Sequence, residues 1–74
     1  MEVFILMNGF NIEQPAFTDG VFSSIANAHT ILINIINLKN EDSNCYFLKY
    51  SVQNLIIYEN TKGYKYWIKK FLVF

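Results

Sequence analysis

Tyr64-Lys65-Tyr66-Trp67-Ile68-Lys69-Lys70-Phe71-Leu72-Val73-Phe74 is the stretch that decides how this chain folds. It satisfies two patterns at once. Tyr64, Trp67, Ile68, Phe71 and Leu72 recur at the i, i+3, i+4, i+7, i+8 spacing of a helical stripe. Tyr64, Tyr66 and Ile68 also alternate with Lys65, Trp67 and Lys69, which is the two-residue period of a strand. Aromatic and β-branched side chains fit a pleated surface better than a helix, so the strand is the favoured reading. With it, the sheet gains a further strand; with the helix, the chain has a second helix beside Ser24 to Lys39.

Working back from that segment, Glu59-Asn60-Thr61-Lys62-Gly63 has the composition of a hairpin loop, and Gly63 is able to take the positive φ of a bulge. Leu55 to Tyr58 continues an extended run from Cys45 to Val52. In that run Tyr46, Leu48, Tyr50 and Val52 fall on one face, with Phe47, Lys49 and Ser51 on the other. Asn40 to Asn44 is a polar loop. Before it, Ser24 to Lys39 has helical spacing, with Ile25, Ala28, Leu32, Ile35 and Ile36 on one side and Asn27, Thr30, Asn34 and Asn37 opposite. Ser23 or Ser24 supplies an N-cap oxygen. The run of Ile makes this a weak intrinsic helix, which tertiary packing must hold; a strand over Ile31 to Ile36 is the alternative. At the front, Val3 to Met7 is apolar on both faces and predicts a central strand covered on both sides. Gly20-Val21-Phe22 predicts a short second strand after the turn pairs Asn8-Gly9 and Asp19-Gly20.

These elements predict a single α+β domain over residues 1–74: a three- or four-stranded antiparallel sheet with one long helix packed on one face. One helix cannot cover both sides of such a sheet. Some of Val3, Ile5, Met7, Phe47, Trp67, Phe71 and Phe74 are therefore expected at the surface of a monomer, and exposed apolar patches of that kind mark interfaces.

Composition narrows the function classes. The chain has 74 residues, 53% of them hydrophobic and 16% charged, with a net charge of zero. It is too apolar for a disordered segment. One cysteine, Cys45, and one histidine, His29, exclude a disulfide framework and make a protein-built metal cage an unpromising reading. No apolar run approaches the roughly 18 residues of a membrane span, and Glu2, Asn8, Asn11 and Glu13 break any signal-peptide pattern. The expectation is a cytoplasmic protein without a membrane partner or a cofactor. A duplex-DNA binder would be more basic. Charge is nonetheless segregated. Five acids (Glu2, Glu13, Asp19, Glu41, Asp42) accompany one lysine up to Asn44, and five lysines accompany one acid, Glu59, from Cys45 onward.

Catalytic constellations are not evident. His29 sits at the edge of the apolar helical stripe and reads as a half-buried, locally bonded side chain. Cys45 reads as a small hydrophobe. Glu41-Asp42 reads as a solvated turn with too few converging oxygens for a calcium loop. Phosphate loops, nucleophile elbows and zinc spacings are missing, so the expectation is a protein that is not an enzyme. The best functional constellation is Lys62, Tyr64, Lys65, Tyr66, Trp67, Lys69 and Lys70. Lysines bind phosphates or carboxylates as point charges, and aromatic faces stack on unpaired bases or anchor protein interfaces. Lysine on a terminal strand also serves simply to discourage edge-to-edge aggregation.

Val3-Phe4-Ile5-Leu6, Gly20-Val21-Phe22-Ser23-Ser24, and Ala26 with Ala28 together resemble the opening of a group of small α+β proteins from phages and mobile elements. Those begin with a V-[FY]-I-L strand, a loop, a G-V-[FY]-S-S turn and an Ala-containing helix start. The resemblance covers the first third of the chain, is structural in content and brings no catalytic residues. The abundance of Phe, Tyr, Ile, Asn and Lys, with no Arg, fits an AT-rich genome. What the resemblance implies is context: a small phage protein that binds and blocks a host machine, as anti-CRISPR and other anti-defence inhibitors do. The leading expectation is a non-enzymatic protein-binding module of this kind, acting by steric occlusion on a host protein or ribonucleoprotein complex. The alternatives are a single-stranded nucleic-acid binder using the Lys/Tyr/Trp strand, and a structural homodimer or larger homo-oligomer.

Overall fold

The computed structural model describes residues 1–41 and 45–73. Its elements in chain order are β1 (Glu2–Gly9), β2 (Phe17–Phe22), α1 (Ile25–Glu41), β3 (Tyr46–Val52), β4 (Leu55–Asn60) and β5 (Lys65–Leu72). The strands form one five-stranded sheet in the order β2-β1-β5-β4-β3. Every neighbouring pair is antiparallel. This corrects the expectation of a three- or four-stranded antiparallel sheet with one long helix packed on one face. The protein is mostly sheet, and only the broad α+β description survives. The extra strand arises because the extended run from Cys45 to Tyr58 folds back on itself at Gln53-Asn54, with Val52 opposite Leu55. No glycine or proline announces that turn.

The ambiguous C-terminal segment is a strand, β5, at the centre of the sheet between β1 and β4. Its two faces are both buried over Tyr66, Trp67 and Ile68. A helix would have faced only one way; the segment's apolar residues on both sides match a central strand.

The helix lies on one side of the sheet. Ser24 caps it, its Oγ accepting a hydrogen bond from the Asn27 N–H at 3.2 Å. Ala28, Leu32 and Ile36 are buried against Phe4 and Leu6 of β1 and Tyr66 and Ile68 of β5. Phe22, Ile25, Ile35, Tyr46, Tyr58 and Tyr64 pack around this core. The helix meets β1, β2 and β5 and touches β3 near its end, where Asn40 Oδ1 accepts from the Tyr46 N–H at 2.8 Å. Most of β3 lies outside its cover.

The other side of the sheet has a second, smaller core of Met7, Ile57 and Trp67, with Ile5, Ile12 and Leu55 packed on it. Ile12 comes from the connection between β1 and β2, residues 10–16, which folds back over this helix-free face. Two hydrogen bonds tie it to the sheet: the Ala16 N–H donates to Asn8 O at 2.9 Å and the Lys65 ammonium donates to Phe10 O at 2.8 Å. Gly9 permits the fold-back, because a Cβ there would stand 2.9 Å from the Ala16 backbone nitrogen.

Candidate functional site

The seven residues Lys62, Tyr64, Lys65, Tyr66, Trp67, Lys69 and Lys70 do not form one surface. Alternation along β5 sends them to opposite sides of the sheet. Tyr66 is buried in the helix-side core. Burial, with Tyr46, Asp19 and Tyr64 nearby, pushes its phenol up to about 12. Tyr64 is half-buried on the same side, stacked edge-on to Phe10 with ring centroids 4.9 Å apart, its hydroxyl donating to Asn8 Oδ1. Asn8 in turn donates to Asp19 Oδ2 at 2.6 Å. These polar groups are consumed in holding β1, β2 and β5 together.

On the helix-free face Trp67 is fully buried in the cluster against which Ile5, Ile12 and Leu55 pack, and its Nε1–H has no hydrogen-bond partner among the described residues. Lys65 lies beside it, 3.3 Å from Glu59 Oε1, while Lys49 contacts Glu59 Oε2 at 3.0 Å. The hydrogen bond from Lys49 is the main reason that the Glu59 carboxyl is held below its usual range, with Lys65 adding to it. Lys70 pairs with Glu2 at 3.4 Å on the helix side. Lys62 is exposed in the β4–β5 turn, which Asn60 organises by accepting the Lys62 and Tyr64 N–H groups at 3.0 and 2.9 Å. Gly63 takes φ +88° there. Lys69 is exposed on the helix-free face with its ammonium 5.6 Å from the Phe71 ring centroid. Of the segment, Lys62 and Lys69 are thus the two exposed cations, and they stand at separate places. None of its three aromatic rings is exposed for stacking.

Strand register maps the helix-free face as a grid. Val21, Ile5, Lys69, Leu55 and Val52 lie in one row across all five strands. Thr18, Met7, Trp67, Ile57 and Tyr50 form the next row. Lys65, Glu59 and Phe47 follow on one side, with Val3 and Phe71 on the other. The connection over residues 10–16 covers the centre around Trp67. It leaves the β3 end open.

Strand β3 carries four of the exposed large apolar side chains, and Phe10, Phe17, Val21, Leu38 and Leu72 are exposed elsewhere. Phe47, Leu48, Tyr50 and Val52 are 49%, 53%, 47% and 47% exposed. The sequence pattern placed Tyr46, Leu48, Tyr50 and Val52 on one face. The structure divides them. A bulge at Lys49 shifts the register between Leu48 and Tyr50, so that Tyr46 and Leu48 lie on the helix side, opposite Asn60 and Tyr58. Phe47, Tyr50 and Val52 lie on the helix-free side, opposite Glu59, Ile57 and Leu55. One inserted residue reverses the alternation beyond it. Phe47 and Phe71 are exposed, as the imbalance between one helix and two apolar faces required; Met7 and Trp67 are not, because Ile12 covers them. Phe74 lies outside the described residues.

The remaining candidates are modest. His29 Nε2 and Tyr58 Oη are 3.4 Å apart, at the side of a shallow groove of about 340 Å³ along α1 lined by Ala26, His29, Thr30, Ile33 and Asn34. Cys45 is exposed ahead of β3. Asp42 of the Glu41-Asp42 pair lies outside the described residues. Among the described residues, no three His, Cys, Asp or Glu side chains gather as a metal site, and no helix is long and apolar enough to cross a membrane. Compared with known protein families, with curated proteins and with solved structures, the chain matches none.

Proposed function

We propose that this protein is a small, non-enzymatic protein-binding module whose docking surface is strand β3 and the adjoining helix-free face. The observation that carries this reading is the cluster Phe47, Leu48, Tyr50 and Val52, four large apolar side chains exposed on one seven-residue edge strand. Leu55, Ile5, Phe71 and Val21 extend that surface along the row shared with Val52 and beside it. A soluble domain gains nothing from such a cluster unless a partner covers it. Lys69 supplies a cation within the same patch, suited to a carboxylate on the partner. Tyr50 and Phe47 are the aromatic anchors.

The narrower reading, a phage-encoded inhibitor that occludes a host nuclease or defence complex, rests on the resemblance of the first 28 residues and on the AT-rich composition. The nucleic-acid reading is less well supported. It asks Tyr64, Tyr66 and Trp67 to stack on bases, whereas Tyr66 and Trp67 are buried and Tyr64 is engaged with Asn8 and Phe10.

The test is an affinity capture from a low-GC bacterial lysate, split into nuclease-treated and untreated halves and read by mass spectrometry. Protein partners that persist after nuclease support a protein-binding module. Loss of every partner on nuclease treatment, with oligonucleotide retained by the untreated sample, moves the function to nucleic acid.

A further inference from the structure

We infer that strand β3 is a strand-pairing edge, and that it pairs antiparallel with β3 of a second copy of this chain to give a continuous ten-stranded sheet. The inference rests on the protein-binding reading above: the same edge pairs with a second copy when no other protein covers it, and a foreign partner competes with that pairing.

β3 is hydrogen-bonded to β4 on one side and is the last strand of the sheet on the other. An edge strand presents a row of free backbone N–H and C=O groups, whose natural complement is another strand. Natural edges are blunted by charge, proline or irregularity. Here the strand has no proline, and its one charged residue is Lys49. That charge is already paired with Glu59 at 3.0 Å.

The bulge, which would disturb pairing with an arbitrary strand, makes β3 complementary to itself. Phe47 faces the helix-free side, Leu48 the helix side, Lys49 reaches Glu59 on the helix-free side, Tyr50 faces the helix-free side, Ser51 the helix side and Val52 the helix-free side. The order is the same read from either end. Residues directly opposite in an antiparallel pair share a face. A two-fold axis between Lys49 and Tyr50 therefore sets Phe47 against the second copy's Val52, Leu48 against its Ser51 and Lys49 against its Tyr50. No apolar side chain is forced to the wrong side. A regular strand could not pair about such an axis, because Phe47 and Val52 would face opposite ways.

Charge and area agree with this occupant. The chain has zero net charge, so two copies approach without net repulsion. Edge-to-edge pairing buries one strand edge and its flanking side chains on each copy, an interface of the small, transient class. The dimer is accordingly a reversible one. Pairing also joins the two helix-free faces into one apolar strip across both copies.

The test is sedimentation of the full chain from about 1 μM to 1 mM, a range suited to a small interface, with residue-resolved amide exchange at both ends. The expected result is a mass rising from 8.7 kDa towards twice that value. The outward-facing amides between Phe47 and Val52, those not bonded to β4, should gain at least tenfold protection with concentration, and a Phe47→Lys/Val52→Lys variant should remain a folded monomer without that gain. A monomer throughout overturns the inference, as does a dimer whose β3 amides exchange at the dilute rate. A hydrophobic dye added to the dilute protein separates the two claims. A monomer whose dye signal disappears in the double variant retains the docking surface and loses only self-pairing; absence of any dye signal removes both.

Discussion

Trp67 shows how a residue whose type and neighbours suggest a contact can be taken up by the core. Its size and its lysine neighbours suggest a contact residue. Register puts it at the centre of the helix-free face, and Ile12 closes over it. Its indole N–H is buried and meets no acceptor among the described residues, and a buried unpaired donor costs about 1–3 kcal/mol. Two substitutions separate the packing from the defect. Trp67→Ala is expected to destabilise by about 3–5 kcal/mol in denaturant unfolding, as a large core truncation. Trp67→Phe leaves a smaller void and removes the unpaired donor, so its expected cost is about 1 kcal/mol or less. Equal losses in the two variants would contradict this account of the site. Tyr66 gives a second residue-scale expectation. Its phenol is raised from 10.0 to about 12, mainly by burial. An acid that keeps its proton in the fold but loses it when unfolded favours unfolding once pH exceeds the unfolded value. The stability that Tyr66 contributes is thus complete below pH 10 and is lost between pH 10 and about 12. Unfolding free energy measured over that range should fall for the wild type and fall less steeply for Tyr66→Phe, with tyrosinate absorbance appearing as the protein opens.

At the scale of elements, the legible features were those set by local chemistry. The apolar run of β1, the Ser24 cap, the 3.6-residue stripe of α1 and the Asn60–Gly63 turn each declare themselves in neighbouring residues. The choice of strand for Tyr64 to Leu72 was legible from aromatic content and from apolarity on both faces. The number of strands was not. Gln53-Asn54 reverses the chain with no glycine or proline, so Cys45 to Tyr58 reads as one extended run. The Lys49 bulge was equally silent, since alternation of Tyr46, Leu48, Tyr50 and Val52 is what a regular strand would show. Nor could a sequence pattern announce that residues 10–16 fold over Trp67; that depends on Gly9 and on Lys65, distant in sequence. The cover is open to a direct test. Gly9→Ala places a methyl group 2.9 Å from the Ala16 nitrogen at a φ of 155°. The connection must shift, at a cost above about 1 kcal/mol. Trp67 emission is expected to move to the red and its quenching by iodide to rise. Emission identical to wild type would show that the connection does not depend on Gly9.

At the scale of the whole molecule, one helix serves a sheet with two apolar faces, and the imbalance is resolved in two ways. The 10–16 connection covers the middle of the second face, and the β3 end is left open. The lysine-rich segment that looked like a binding strip is largely structural: Lys65 and Lys70 neutralise Glu59 and Glu2, and Tyr64 and Tyr66 hold the sheet against the helix. Segregated charge in the sequence thus becomes, in part, attraction between the strands that carry it. The surface left over is apolar, clustered and at an edge, and this is the basis for assigning it to partner binding. The count of apolar faces in the sequence implies exposed apolar side chains; the bulge and the 10–16 connection determine which of them emerge.

The central claim is that partners dock on β3 and not on the lysine-rich turn. It is tested most directly by repeating the lysate capture with variants at two exposed positions, Tyr50→Lys on β3 and Lys62→Glu in the β4–β5 turn. The account predicts that Tyr50→Lys abolishes capture of the nuclease-resistant partner, by tenfold or more, while Lys62→Glu captures it as the wild type does. Capture that survives Tyr50→Lys and is lost in Lys62→Glu would contradict it.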